Sequence, residues 1–182
     1  MAIKRITVDK SYSSILLNTS SVVLVTSEYE EKRDIITVNW CTSVSFIPRI
    51  VAVVLEVGSF SHQIIEGSGQ FAINVPDISL LEQVKFCGSV SGFKQDKFID
   101  SGLTTIPALN LDLPLINECF ANIECQVDKS VMIGDHTVFF GLVISVMVED
   151  GLFKTDGTVD LEKRKPIVHL GKDQYVTLDT IM

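Results

Sequence analysis

The chain has no cysteine pair at C-x-x-C spacing, only one tryptophan and three histidines, and no apolar run of membrane-spanning length. Each shortage excludes something. Cys41, Cys87, Cys119 and Cys125 are scattered, so neither a local zinc motif nor a thioredoxin-type redox pair is written into the sequence. His62, His136 and His169 are equally dispersed, and no metal site is expected. The longest apolar stretches, Ile50–Leu55 and Val138–Val148, fall short of the roughly 18 residues a spanning helix needs, so no membrane partner is expected. Residues 1–20 lack the apolar core of a secretion signal, which predicts reduced cysteines and a cytoplasmic location. Basic residues are in deficit too: 15 Lys+Arg stand against 23 Asp+Glu, a net charge of −8. Such a chain repels phosphate backbones, so no nucleic-acid partner is expected. The G-x-S-x-G elbow, the Walker A loop and H-E-x-x-H are all missing, and with them the usual signatures of those hydrolase and NTPase classes.

What the chain does have is β-branched residues. Val22–Thr26, Ile35–Val44, Ile50–Val57 and Phe71–Val75 read as strands bounded by turn residues. Ile123–Asp128 alternates strictly, as a strand with one wet face should, and Val138–Val148 reads as a long strand with Gly141 at a bulge or bend. Turns are expected at Ser45–Arg49, Gly67–Gly69 and Gly134-Asp135. Helices are short: Ser61 can cap a turn through Glu66, Pro76-Asp77 opens a helix of two to three turns, and Asp96–Ile99 makes one more turn. The 182 residues suit one domain, 1–182, and the strand spacing predicts a closed, mostly antiparallel barrel with a few short helices. The mean hydropathy of +0.34 is high for a soluble monomer and points to apolar surface covered by a second copy.

Gly67-Ser68-Gly69-Gln70-Phe71-Ala72 fits the letters of a dinucleotide fingerprint, but it follows a helical turn and opens a strand, the reverse of what that loop requires. Lys163-Arg164-Lys165 reads as a solvated basic loop. Thr37–Ser45 is the unusual segment. It holds the only Trp amid Asn, Cys, Thr and Ser, small hydrogen-bonding groups that the edge of a planar heteroaromatic ligand would use, although a half-buried edge strand would also carry them.

Five stretches in order, Thr37–Ser43, Ser59–His62, Phe71–Val75, Ser91–Phe98 and Pro166–Gly171, resemble the flavin reductase-like, flavoredoxin-type proteins. The resemblance covers roughly residues 20–175 and implies an antiparallel split β-barrel that binds FMN as a homodimer. It places Asn39, Trp40, Cys41 and Thr42 beside the flavin ring, and Ser59, Ser61 and His62 near the ribityl phosphate. Asn74, Lys97 and His136 join the implied cofactor contacts, and no catalytic residue is named. The chain departs from the family pattern at Asp34, where Asn is common, at Ser59-Phe60-Ser61 in place of Arg-Tyr-Thr, and at Phe93 in place of Arg.

The residue chemistry runs the same way. Ser59 and Ser61 at a helix N-terminus offer hydroxyls and the positive end of the dipole, with Lys94 and Lys97 as mobile cations nearby in sequence. The expected function is electron transfer through bound flavin, fed by a nicotinamide nucleotide or a redox protein partner. Two other readings stand beside it: an FMN-binding module without turnover, and a split barrel of structural role that binds no flavin.

Overall fold

The computed structural model describes Thr7, Asp9, Lys10 and residues 12–17 and 20–178, so most of the stretch bearing on a secretion signal lies outside the described residues. In chain order the elements are α1 (Tyr12–Leu17), β1 (Ser20–Ser21), β2 (Val23–Tyr29), β3 (Lys32–Val38), β4 (Cys41–Phe46), β5 (Arg49–Glu56), α2 (Phe60–Ser68) and β6 (Gln70–Val75). Then follow α3 (Leu81–Ser89), α4 (Lys97–Asp100), β7 (Thr105–Pro107), β8 (Pro114–Ile116), β9 (Ala121–Ile133), β10 (His136–Val148), β11 (Ile167–Gly171) and β12 (Gln174–Thr177). Among the described residues no helix is long and apolar enough to cross a membrane.

Seven strands form one antiparallel sheet in the order β3-β2-β6-β9-β10-β5-β4. Its two edge strands, β3 and β4, are consecutive in the chain and are joined by only Asn39 and Trp40. Two residues can connect opposite edges only if the sheet curls until those edges meet. Among the described residues no ladder closes the seam between them, so the barrel is split. This also corrects the reading of Ile35–Val44 as one strand. The chain leaves one sheet edge at Val38 and joins the other at Cys41, and no single straight strand can serve both edges.

Two apolar cores follow from strand alternation. Val25, Val53, Ile73, Phe71, Cys125 and Phe139 fill the barrel, while Leu24, Ile35, Val84, Cys87, Phe98 and Ile167 pack between sheet and helices. Gly141 sits at a register shift in the β9–β10 ladder, as its position suggested. A Cβ there would lie 2.5 Å from Phe71 Cζ and 2.8 Å from Cys125 Cβ, so only glycine lets the ring occupy the barrel axis at this point.

The helix boundaries move slightly. Ser59, not Ser61, caps α2, its hydroxyl accepting from His62 N–H, and Gly69 ends the helix in the left-handed region at φ 67°. Ser61 lies inside the first turn and is buried. Asp77 caps a short 3-10 turn, Ile78–Leu80, that leads into α3. Glu124 corrects the one-wet-face reading of β9: it is buried at 1% exposure, because the chain from Leu109 to Leu111 folds over it and donates three N–H groups to its carboxylate at 2.9–3.0 Å. Arg164 in the basic loop is tied to Glu149 by two hydrogen bonds, and Lys163 to the Gly151 carbonyl.

Candidate functional site

At the C-terminal end of β5 the chain turns through Val57 and Gly58 to Ser59, the cap of α2. There a cavity of about 360 Å³ opens, lined by Asp34, Ile36 and the 56–60 turn on one side and by Val90–Phe93 and Lys97 on the other. Three segments distant in sequence thus meet, two of them bearing serine-containing turns. Phe60 and Phe93 close the outer side with ring centroids 4.8 Å apart. Gly92 is required by close approach: a Cβ there would lie 2.4 Å from Phe60 and 2.5 Å from Asp34 Oδ1.

The rim continues without a break. His136 pairs with Glu56 across the β10–β5 ladder, and Trp40 packs on the His136 ring at 4.9 Å. Trp40 is held there by its carbonyl, which accepts from Val54 N–H at 3.0 Å, and it remains 37% exposed. Cavity, Glu56, His136 and Trp40 therefore form one continuous surface, polar at one end and aromatic at the other.

Beneath the cavity lies a buried charge cluster. Asp34 accepts from Ser61 Oγ at 2.5 Å, and Lys97 Nζ stands 3.2 and 3.3 Å from its two carboxylate oxygens. Lys97 also donates to the Ile35 carbonyl at 2.7 Å. At 2% and 3% exposure these are not solvated side chains, and the expectation of Lys97 as a mobile cation is corrected. The burial arises because the Asp96 cap turns α4 so that Lys97 and Phe98 face β3. Lys94, exposed on the same loop, does not line the cavity.

The other expected contacts separate. On β4 the side chains alternate: Thr42 pairs with Ala52 on the outer face, while Cys41 pairs with Val53 and joins the barrel core. Burial raises the Cys41 thiol to about 11, so near neutral pH it is a protonated core side chain and a poor nucleophile. Ser61 and His62 point inward; His62 bonds Thr137 Oγ1 at 2.9 Å and lies 3.4 Å from Glu66. Asn39 turns away from the rim to His169 at 3.0 Å, beside a separate cavity of about 650 Å³ between α3 and the β11–β12 hairpin. Asn74 is fully buried, and both its amide nitrogen and its oxygen are engaged by Leu24, Thr26, Ile116 and Asn122. It has no polar atom left for a ligand.

Residue-by-residue reading missed Glu56, Val57 and Phe60, whose only signal was their adjacency to Ser59. It also noted Asp34 merely as a departure. A carboxylate directly before the β-branched run Ile35–Val38 was the available clue, because such a residue, once buried, needs a partner.

Residues 16–175 match the flavin reductase like domain family. An uncharacterized protein of Archaeoglobus fulgidus is 37% identical over 131 residues, covering 72% of this chain and 73% of that protein. The NADH-dependent flavin reductase StyB of Pseudomonas fluorescens is 28% identical over 131 residues, covering 71% and 72%. Among solved structures, flavoredoxin of Methanosarcina acetivorans superposes with a TM-score of 0.87 at 23% identity, over 99% of this chain and 94% of that one.

Proposed function

The chain belongs to the flavin reductase-like family, and from that premise we propose that it binds FMN along the Ser59–Trp40 rim and passes electrons through it, with NADH or NADPH as the electron source. The observation that carries this reading is the gathering of a capped helix N-terminus, a glycine-tight loop and the Trp40–His136 pair on one continuous surface. The residues present fit the group. At the polar end, Ser59, Phe60 at the start of α2 and Ser91 line the cavity and would meet an incoming phosphate. At the other end, the exposed indole and imidazole offer flat apolar area to an isoalloxazine ring.

Bound flavin supplies the hydride and single-electron chemistry. The chain's own residues position it. Ser59 and the α2 N-terminus would hold the ribityl end, Phe60 and Phe93 would shield it from water, and Trp40 would pack against the ring. His136, whose Nδ1 is 2.7 Å from Asp135 Oδ1 and whose ring packs on Trp40, would offer a proton-exchanging group beside a bound ring. A nicotinamide has no separate fingerprint here and would stack on the exposed ring face. The similarity to StyB favours turnover with NADH over passive flavin storage.

A homodimer belongs to the same reading. The outer face of β10 presents Val138, Phe140 and Leu142 in a row before the bulge between Val143 and Ser145, and the β5 neighbours Ile50, Ala52 and Val54 widen it. An apolar strip of that length beside the rim is suited to a second copy.

Trp40 is the only tryptophan, so its emission reports the rim directly. FMN added to the full chain should quench it saturably, and NADH added without oxygen should bleach the flavin absorbance. Unchanged emission at millimolar FMN would overturn the binding reading. Saturable quenching with no bleaching by either nicotinamide would overturn the electron source and leave a protein donor.

A further inference from the structure

We propose that Asp34 makes the anion end of this cavity nearly indifferent to the flavin phosphate, so that the flavins it accepts include riboflavin on almost equal terms with FMN. The inference rests on the flavin reading above and adds the selectivity of the same site.

The acidic and basic side chains lining the cavity are Asp34, Glu56 and Lys97, a formal sum of one negative charge. A phosphate site in a chain of net charge −8 needs local positive charge, and the cation closest to hand is already neutralised. Lys97 Nζ donates to the Ile35 carbonyl and lies within 3.3 Å of both Asp34 oxygens, with 3% of the residue exposed. Asp34 Oδ1 makes no hydrogen bond of its own, so its negative charge is balanced only by that ammonium. The neighbouring guanidinium is turned elsewhere: Arg33 pairs with Asp96 at 3.4 Å and lies over the Phe98 ring. What remains for a dianion is the start of α2 and serine hydroxyls, which bind neutral ribityl hydroxyls as readily as phosphate oxygens. Glu56 on the rim opposes a phosphate outright.

The test is the ratio of riboflavin and FMN dissociation constants for the full chain, followed by Trp40 emission. The expected ratio is within about tenfold, the value of a single modest contact. FMN affinity should also change less than about threefold between roughly 50 and 500 mM salt, because no net positive charge is being screened. FMN binding more than about tenfold tighter than riboflavin, or falling steeply with salt, overturns the proposal while leaving the flavin reading intact. Binding of neither flavin removes both. Asp34→Asn frees the Lys97 charge and should widen the ratio about tenfold in favour of FMN; a folded variant with an unchanged ratio overturns the assignment to Asp34. Should that variant not fold, the wild-type ratio and salt dependence decide on their own.

Discussion

Three carboxylates are buried among the described residues, and two of them are treated quite differently from the third. At the far side of the barrel Glu124 takes backbone N–H groups on both oxygens, and Asp77 takes the Ser79 and Lys165 N–H groups, one on each. These acids tie down chain segments that have no ladder of their own. Asp34, at the cavity end, is held by two side chains, Ser61 and Lys97, and leaves Oδ1 without a hydrogen bond. Backbone donors are fixed by the fold, so a carboxylate satisfied by them is part of the architecture. Side-chain donors can be redirected by a ligand or a substitution. The difference marks the cavity end as the place where electrostatics remains adjustable.

The comparison can be broken at several points. The largest effect belongs to Lys97→Met, which strands the Asp34 charge in the interior and should cost about 3–5 kcal/mol in urea unfolding. Adding Asp34→Asn should restore most of that loss. If the double variant is no more stable than Lys97→Met, the pair is not coupled and the contrast with Glu124 fails.

Glu124→Gln comes next. An amide cannot accept on both arms, so at least one of the three N–H donors meets an NH2 group, at about 3 kcal/mol. Because this acid serves only the fold, protease cleavage between residues 105 and 116 should accelerate while FMN-dependent quenching of Trp40 per folded molecule stays unchanged.

Asp77 sharpens the comparison through pH. Burial alone would raise its pKa, but the N–H donors from Lys165 and Ser79, with Arg164 nearby, outweigh burial and hold it below the ordinary carboxylate value. Its stabilising contribution is therefore complete above the ordinary carboxylate range and is lost as pH falls through the depressed folded value. The Tm gap between wild type and Asp77→Asn should be constant from neutral pH down to that range and shrink below it. A gap that widens in acid would contradict the assignment.

The smallest effect is Ser59→Ala. Its cap hydrogen bond is long at 3.4 Å, so stability should fall by only about 0.5–1 kcal/mol. Flavin affinity should weaken in the same variant, in contrast to Glu124→Gln. A loss of stability alone would remove Ser59 from the binding surface.

Much of this was legible from residue order. Val, Ile and Thr runs marked β2, β5, β6 and β10, the Gly134-Asp135 turn marked the β9–β10 hairpin, and Gly141 marked a bulge. Ser59, Trp40 and His136 were named from motifs, and they do share one rim. Asn39 and Asn74 were named with equal reason and do not. Asn39 sits in a polar motif and Asn74 in an apolar strand, but which way either asparagine faces depends on its partners 130 and 48 residues away, His169 and Asn122.

The sequence by itself determined the long strands β2, β5, β6 and β10, the Gly134-Asp135 hairpin turn and the family, because β-branching and turn glycines act within a few residues. Only the tertiary structure decided that β3 and β4 lie on opposite edges of one curled sheet, which sends Trp40 and Thr42 outward and Cys41 into the core. It likewise decided that Lys97 meets Asp34 across 63 residues. Burial of a charge depends on what the rest of the chain brings to it. A lysine in a polar loop and a lysine sealed beneath a cavity read alike until the partner carboxylate is in place.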